Sequence, residues 1–301
     1  MTAAPMVGLL YSPATPAVLD AAGELVDFVE IIPERLWYDF GADASERFAH
    51  ARSAVDRLRG YTEKRAVTGH GIGLSLPSAM PLDEALLDQV EASHRCLDYR
   101  WYSEHLSMFL TPDGSVPNAQ AGMGLPVVHD LETLEIVGGK VQQIQDALGV
   151  PLLLENGTIF SAIPDPDMSE PEFMNRLHAR TGCGLLLDLH NLYANSLNLG
   201  WDASDYLSAL DPGIVVEIHL AGGDWLMSHY TDSHSRRTPE TVWAWLRKWG
   251  PRFPNLAAIT FEYHESYHER IGLGGVVEEL EAMHLCASEI AAARQAPPVA
   301  A

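Results

Sequence analysis

The chain alternates short apolar runs with stretches of helical periodicity, and this alternation restricts the folds that it can adopt. Eight runs rich in leucine, β-branched or aromatic residues recur at 6–12, 27–33, 65–74, 100–107, 151–157, 184–191, 214–222 and 257–264. Runs this apolar are typical of strands in a parallel sheet that helices cover on both faces. Strands that alternate with helices predict βαβ units.

Helix-like stretches occupy most of the intervals between these runs. They lie at 43–60, 81–98, 130–149, 168–182, 238–250 and 274–294, with shorter stretches at 13–26 and 202–212. Ser169 followed by Glu172 is a capping-box pattern, and Gly149 closes the stretch that precedes it. Eight such units in 301 residues predict an α/β protein with a single (β/α)8 TIM barrel, and a doubly wound open sheet is the alternative. We expect one barrel domain over residues 1–290 and a flexible C-terminal tail over 291–301.

Composition excludes several classes of protein. The chain has 41 acidic and 19 basic residues, for a net charge of −22, so its surface repels phosphate backbones and nucleic acid is a poor partner. Three cysteines stand far apart with no CxxC, which excludes a disulfide framework and argues against a thiolate metal site. No apolar run approaches the ~20 residues of a membrane span. The first residues lack the basic region of a signal peptide, so we expect no membrane association and a cytoplasmic location.

The predicted strands carry side chains that bind metals towards their C-terminal ends. Reading along the chain, these are His70, His105, Glu155, Asp188 with His190, His219 and Glu262. In a (β/α)8 barrel these ends converge on the face where active sites are built. Because residues two apart on a strand point the same way, Asp188 and His190 are expected to share a site. Glu104, Asn156 and Asn191 stand beside these residues and are candidates to orient them.

The loop after the seventh run adds two further candidates. Asp232 and His234 are again two residues apart, and they are placed to complete a site from above. The whole set is five imidazoles and four carboxylates, which is more than one ion needs, so we expect two or three metal ions. Imidazole and carboxylate without thiolate suit iron, zinc or manganese, and composition does not choose among them.

Several of these segments together resemble a known family. The segments HGIGLSL, SEHLS, LLLEN, TGCGLLLDLHNLY, EIHLAG, DSH and the late Glu262 look like the multinuclear non-heme iron-dependent oxidative enzymes, in order from about Val7 to Glu281. The resemblance implies a barrel related to xylose isomerase and endonuclease IV. It implies an oxidoreductase that uses two or three non-heme irons and dioxygen to modify a ribosomally made precursor peptide, commonly at cysteine. A leader-binding partner protein is also implied.

The resemblance further implies roles for individual residues. Glu155 would bridge two irons, one of which would also take Asp188, His219 and Glu262. The other iron would take His70 and His105, and these six are the catalytic residues that we expect. A third, weaker iron site would use His190, Asp232 and His234. The family often has Asn-Asn where this chain has His190 and Asn191, and its early strand often reads EVHPENY where this chain has EIIPERLWY.

Three other functions use the same residues differently. A zinc- or manganese-dependent phosphoesterase of the endonuclease type would activate water between its metals. A sugar isomerase would use the same barrel and divalent ions. A non-catalytic metal-binding scaffold belongs to a different class, but a scaffold has no need for so many converging ligands.

Overall fold

A computed structural model describes residues 3–113 and 116–296, without the side chains of 110–123. Eight parallel strands form its centre: β1 (Met6–Leu10), β2 (Phe28–Ile31), β3 (Ala66–Gly71), β4 (Tyr99–His105), β5 (Leu152–Glu155), β6 (Gly184–Asp188), β7 (Val215–Leu220) and β8 (Ala258–Phe261). Each strand pairs with the next, and β8 returns to β1 to close the barrel. All eight predicted strands are present, and the predicted (β/α)8 barrel is confirmed.

Helices connect and cover the strands. They are α1 (Thr15–Ala22), α2 (Arg52–Thr62), α3 (Glu84–Leu97), α4 (Leu131–Leu148), α5 (Glu170–Thr181), α6 (Leu189–Leu199), α7 (Ala203–Ala209), α8 (Glu240–Trp249) and α9 (His268–Gln295). Helix α9 bends at Gly272, where φ is +75°. This helix covers the first residues of the predicted tail, and residues 297–301 of that tail lie outside the described residues.

Local capping chemistry explains where the helices begin and end. The Ser169 hydroxyl accepts a hydrogen bond from the Glu172 backbone at the start of α5, as the capping-box pattern predicts. Asp130 caps α4 in the same way. Gly149 and Gly182 end α4 and α5 in the left-handed conformation that a residue without Cβ adopts at low cost.

Within the described residues, three short antiparallel strand pairs extend the barrel, and the periodicity did not predict them. They pair Trp37–Asp39 with Phe48–His50, Met108–Asp113 with Val116–Leu125, and Asp224–Leu226 with His229–Thr231. The first hairpin takes up part of the helix predicted over 43–60, so α2 begins only at Arg52. Arg47 holds this hairpin by ion pairs with Asp39 and Asp83, which local periodicity does not encode.

The core has two parts. A large cluster of buried apolar side chains fills the space between the strands and the helices. A smaller cluster inside the barrel consists of Phe28, Trp101, Leu153, Leu186 and Ala258. Among the described residues, no helix is both long enough and apolar enough to cross a membrane.

Candidate metal centre

Strand alternation changes the barrel interior from apolar to polar within a few residues. Residues two apart on a strand face the same side, so the residues that follow the interior apolar cluster also point inwards. Leu153 is followed by Glu155 on β5, and Leu186 is followed by Asp188 on β6. The same spacing on β8 leads from Ala258 to Glu262 just past the strand end. The carboxylates therefore lie above an apolar floor, at the C-terminal end of the barrel.

One group of donors gathers around Glu155. Its Oε2 atom lies 2.8 Å from His105 Nδ1 and 3.4 Å from His70 Nε2. The other ring nitrogen of His70 lies 2.9 Å from the Ser103 hydroxyl, which fixes the direction of the imidazole. His70 and Glu155 are buried, and His105 is 20% exposed. All three residues offer donor atoms within 4.8 Å of one another.

A second group shares Glu155 with the first. Glu155, Asp188, His219 and Glu262 also offer donor atoms that all lie within 4.8 Å of one another. His219 Nδ1 is 3.1 Å from Glu262 Oε2, and all four side chains are buried. We call the six residues of the two groups the inner cluster: His70, His105, Glu155, Asp188, His219 and Glu262.

Several inner-cluster atoms are buried without a hydrogen bond, although donors or acceptors are close. They are Glu155 Oε2, Asp188 Oδ2 and both ring nitrogens of His219. A buried polar atom without a partner costs about 1–3 kcal/mol, and charged groups cost more. Lone pairs that converge without hydrogen-bond geometry fit a cation between them. The inner cluster therefore fits metal ions, as its donor chemistry also indicates.

The charges of the inner cluster are strongly coupled. Burial opposes ionisation of Glu155, but His105 and His70 outweigh it and lower the pKa of this carboxyl. Burial disfavours the imidazolium form of His105, yet Glu155 beside it raises its pKa to about 9. Burial, with Asp232 and Glu155 nearby, raises the pKa of Asp188 well above its usual range. Protons therefore hold positions that metal ions would take, and metal uptake must displace them.

The other three predicted ligands form a separate group, which we call the outer cluster: His190, Asp232 and His234. Asp232 Oδ1 lies 2.9 Å from His190 Nδ1 and 3.0 Å from His234 Nε2. His234 Nε2 is also 3.5 Å from Glu262 Oε2, so the two clusters touch there. Among the described residues these three are not a set whose donors all lie within 4.8 Å of one another. The structure brings them together, but less compactly than the inner cluster.

The loop that carries the outer cluster has an energetically unfavourable backbone conformation at His234. His234 has φ of +50°, a left-handed conformation that costs a non-glycine residue about 1–3 kcal/mol. Gly223 lies directly above His190, and a Cβ at this position would approach the ring to 3.1 Å and the Thr231 carbonyl oxygen to 1.9 Å. The chain thus keeps the loop close to the imidazole, which a larger residue at position 223 would prevent.

The prediction that Asp188 and His190 point the same way, as residues two apart on one strand, was wrong. Strand β6 ends at Asp188, whose Oδ1 accepts a hydrogen bond from Asn191 N at 2.7 Å and caps helix α6. His190 therefore lies in the first helical turn and not two places along the strand. It reaches Asp232 instead of joining the donors around Asp188. Because this aspartate ends the strand and caps a helix, the residues after it no longer alternate between two faces.

The amide residues support the ligands as expected. Asn191 Nδ2 donates to Glu155 Oε1 at 3.1 Å, and Asn156 hydrogen-bonds both backbone groups of Asp188. Glu104 lies further from the donor groups. Its carboxylate accepts hydrogen bonds from Leu74 N at 3.2 Å and from the Tyr102 hydroxyl at 2.9 Å. These contacts fix the two strand ends that carry carboxylates.

Two buried carboxylates below the inner cluster were not expected as site residues. Glu30 Oε1 lies 2.9 Å from His219 Nε2, the ring nitrogen that faces away from Glu262. Glu217 accepts hydrogen bonds from Trp101 Nε1 at 2.7 Å and Thr260 Oγ1 at 2.6 Å. Both residues occupy the middle of apolar runs, where alternation points them into the barrel. For Glu217 the available signal was its position two residues before His219 on the same strand, whereas the strand of Glu30 carries no predicted ligand.

The chain matches a protein-family model over residues 6–284, and the family is described as RiPP precursor modification enzyme MbnB/TglH/ChrH. A UPF0276 protein from Chromobacterium violaceum is 37% identical over 227 residues, which cover 73% of this chain and 78% of that protein. A UPF0276 protein from Caulobacter vibrioides is 33% identical over 262 residues, with coverage of 86% and 88%. These relatives extend over most of both chains.

Solved structures share the fold at low sequence identity. A xylose isomerase domain protein from Planctomyces limnophilus has a TM-score of 0.58 and 13% identity, and covers 97% of this chain and 100% of its own. Endonuclease IV from Thermus thermophilus has a TM-score of 0.56 and 16% identity, with coverage of 95% and 100%. The likeness confirms the predicted barrel fold of the xylose isomerase and endonuclease IV type and says nothing about activity.

Proposed function

The chain belongs to the MbnB/TglH/ChrH family of RiPP precursor modification enzymes, the multinuclear non-heme iron-dependent oxidative enzymes, and on this premise we propose that it oxidises a ribosomally made precursor peptide with dioxygen at two or three irons. RiPP denotes a ribosomally synthesised and post-translationally modified peptide. The observation that carries the proposal is the overlap of the donor groups in the inner cluster. Glu155 belongs to two of these groups, and His70, His219 and Glu262, which form a further group of their own, are shared as well. A carboxylate shared in this way suits a centre with more than one metal.

We assign the ligands by these groups. His70, His105 and Glu155 would hold one iron, and Glu155, Asp188, His219 and Glu262 would hold the second. His190, Asp232 and His234 would hold a third, weaker iron, since Asp232 contacts both imidazoles. When bound, ferrous iron supplies the electrons that reduce dioxygen and the open positions that accept it and the substrate.

The protein contributes the orientation of its ligands. Ser103 contacts one ring nitrogen of His70, so the other ring nitrogen faces Glu155. Glu30 faces His219 Nε2, which leaves Nδ1 towards Glu262. A carboxylate or hydroxyl behind a ligand imidazole fixes its tautomer and typically changes metal affinity by 10–100-fold. The metal-binding face is thereby held ready before any ion arrives.

The rim above the outer cluster supports a peptide as the substrate. The hairpin that leads into Asp232 exposes Trp225, Leu226 and Met227, which are 56%, 64% and 97% exposed. Contiguous exposed apolar side chains mark contact surfaces. We infer that a precursor peptide contacts this hairpin, that a leader-binding partner presents the peptide, and that the reaction takes place in the cytoplasm, where the peptide is made.

The proposal is tested by loading the metal-free protein with ferrous iron under anaerobic conditions. The loaded protein is then mixed with precursor peptides encoded beside genes of this family, with and without dioxygen. We expect a change in peptide mass that requires both iron and dioxygen, and that the Glu155→Gln variant does not produce.

A competing activity would contradict the proposal. If zinc- or manganese-loaded protein hydrolyses bis(p-nitrophenyl) phosphate while iron-loaded protein leaves every peptide unchanged, the centre is hydrolytic. The Glu172→Gln variant, altered on the surface of α5, is the matched control for both assays, because Glu172 is half-exposed and contacts Arg176 outside the centre.

A further inference from the structure

A second concave site lies beside the barrel, between the N-terminal turn of α5 and helix α7. It has a volume of about 510 Å³, within the range of small-molecule sites. None of the nine predicted metal ligands lines it. We call it the acidic cavity, and its polar walls are Glu170, Asp202, Asp205, Tyr206 and His129.

The acidic cavity contains two buried polar side chains, Glu170 and Tyr206, which contact each other. They are 6% and 7% exposed, and this contact leaves Glu170 Oε2 and the Tyr206 hydroxyl without a hydrogen bond of good geometry. Such groups are rare in folded proteins, since each one loses its hydration without compensation. Both line the cavity, so a ligand there would supply the missing contacts.

The charged side chains that line the acidic cavity indicate which ligand charge it would attract. Three carboxyl groups line the acidic cavity, from Glu170, Asp202 and Asp205, and no Lys or Arg is among the described residues that line it. Burial raises the pKa of Glu170 to about 8, so a cation that binds beside this carboxyl takes the place of its proton. His129 adds no positive charge at neutral pH, because burial lowers its pKa to about 4. A cation would be attracted, and an anion would meet only repulsion.

The remaining walls indicate what carries the cation. Trp201 stacks on Tyr206 with ring centroids 6.1 Å apart, and Met168 and two prolines complete an apolar surface. Aromatic faces attract ammonium and guanidinium groups, and apolar walls accept the methylene stems of such side chains. A bare metal ion would gain nothing from these walls. Among the described residues, those that line the acidic cavity also form no group of imidazole and carboxylate donors like the inner cluster.

The acidic cavity adjoins the segment that leaves the metal centre. A smaller cavity of about 150 Å³ shares His129, Pro166 and Trp201 with it and reaches Ile159. Ile159 N donates to Asn195 Oδ1 at 2.7 Å, and this segment begins directly after Glu155. A chain held in the acidic cavity would therefore lie next to a segment that is continuous with a metal ligand.

From these observations we propose that the acidic cavity binds the side chain of a lysine or arginine residue of the precursor peptide, with Glu170 as its counter-ion and Tyr206 as a further hydrogen-bond partner. The identity of the occupant as part of the peptide rests on the proposed function. The preference for a cationic side chain with an apolar stem rests only on the cavity.

The test measures binding of N-acetyl-lysine amide and N-acetyl-arginine amide to the full chain by ligand-detected NMR, with uncharged N-acetyl-norleucine amide as the reference. We expect the two cations to bind and norleucine amide to bind at least tenfold more weakly. Glu170→Gln keeps the shape of the side chain but cannot ionise. Measured above pH 8, where Glu170 is ionised, this change should weaken cation binding about tenfold or more, since a charge-assisted hydrogen bond is lost. Asp205→Asn, at an exposed position, should weaken it less, and Glu172→Gln on the same helix should leave it unchanged.

Two further measurements keep the outcomes separate. The Glu155→Gln variant should bind the amides with unchanged affinity, so a failure of metal binding or peptide oxidation leaves this test intact. Circular dichroism establishes whether each variant is folded, and Asp205→Asn carries the test if Glu170→Gln is not. Equal binding of norleucine amide, absence of cation binding, or binding that both acid-to-amide variants leave unchanged would overturn the proposal.

Discussion

The inner and outer clusters contain the same kinds of side chain but differ in how their polar atoms are satisfied. In the inner cluster Glu155 Oε2 and Asp188 Oδ2 are buried without a hydrogen bond. In the outer cluster His190 Nδ1 hydrogen-bonds Asp232 and its Nε2 lies 3.4 Å from the Tyr230 hydroxyl, while His234 Nε2 is buried without a hydrogen bond. More buried polar atoms lack a hydrogen bond in the inner cluster than in the outer cluster, so the inner cluster has the greater need of cations.

The carboxylates of the two clusters differ in exposure in the same direction. Glu155, Asp188 and Glu262 are 1%, 0% and 3% exposed, whereas Asp232 is about one-fifth exposed. Water compensates part of an unpaired charge at the rim and none of it in the interior. We therefore expect the inner cluster to hold its metals tightly and the outer cluster to exchange its metal.

The largest effect should come from Glu155→Ala. Since both inner groups share this carboxylate, its removal should release more than one metal equivalent and abolish peptide oxidation. Elemental analysis of purified protein measures the loss. Loss of one equivalent or none would mean that Glu155 does not bridge, and Glu172→Ala is the control for truncating a glutamate.

A smaller effect is expected for Asp232→Asn. Asp232 contacts both outer imidazoles, so this change should remove at most one metal equivalent and leave the two inner ions bound. Metal titration followed by gel filtration distinguishes retained from exchangeable ions. If the inner ions were lost as well, the two clusters would be a single unit joined through His234 and Glu262.

A positioning effect is expected for Glu30→Gln. The amide keeps the contact with His219 but no longer supports the imidazole as a charged acceptor, so inner-cluster metal affinity should fall about 10–100-fold. All equivalents should still bind at high metal concentration. Competition with a chelator of known affinity measures the change, and an unaltered affinity would show that Glu30 only fills space.

Glu170→Gln should leave metal binding unchanged, because Glu170 is a buried carboxyl outside both clusters. Burial raises the pKa of Glu170 from 4.5 to about 8, so the folded state keeps a proton that the unfolded state loses. Its contribution to stability is full below pH 4.5 and is lost as pH rises to about 8, by about 1.4 kcal/mol per pH unit.

Urea unfolding of metal-free protein checks this expectation. Between pH 5.5 and pH 8 the stability of Glu170→Gln relative to the natural sequence should rise by about 3 kcal/mol, because glutamine has no proton to lose. A difference that does not vary with pH would mean that Glu170 is already ionised in the folded protein.

The barrel was predictable because its strands are encoded locally. Each strand is a short apolar run, and the side chains at strand ends such as His70 and Glu155 converge by topology alone. Glu30 and Glu217 were missed because a single carboxylate within an apolar run has the same pattern as a strand that is half exposed. Glu217 lies two residues before His219 and could have been found by that spacing, but only closure of the barrel shows that Glu30 points inwards.

The remaining features depend on contacts between distant segments. The acidic cavity combines Glu170 at a helix start with Trp201 and Tyr206 some thirty residues later, and no periodicity links them. The hairpin over 37–50 depends on Arg47 reaching Asp83. His190 lies in a helix because Asp188 ends the strand and caps helix α6. The sequence around Asp188 fits both a strand residue and a helix cap, so the pattern alone does not decide between them.

The measurement that tests the central claim most directly is the metal content of protein purified from iron-rich cells without added metal, by elemental analysis with Mössbauer spectroscopy. We predict two or three irons per chain, of which two survive gel filtration and show magnetic coupling through a shared ligand. Zinc or manganese without iron, or a single uncoupled iron, would contradict a multinuclear iron centre built on Glu155.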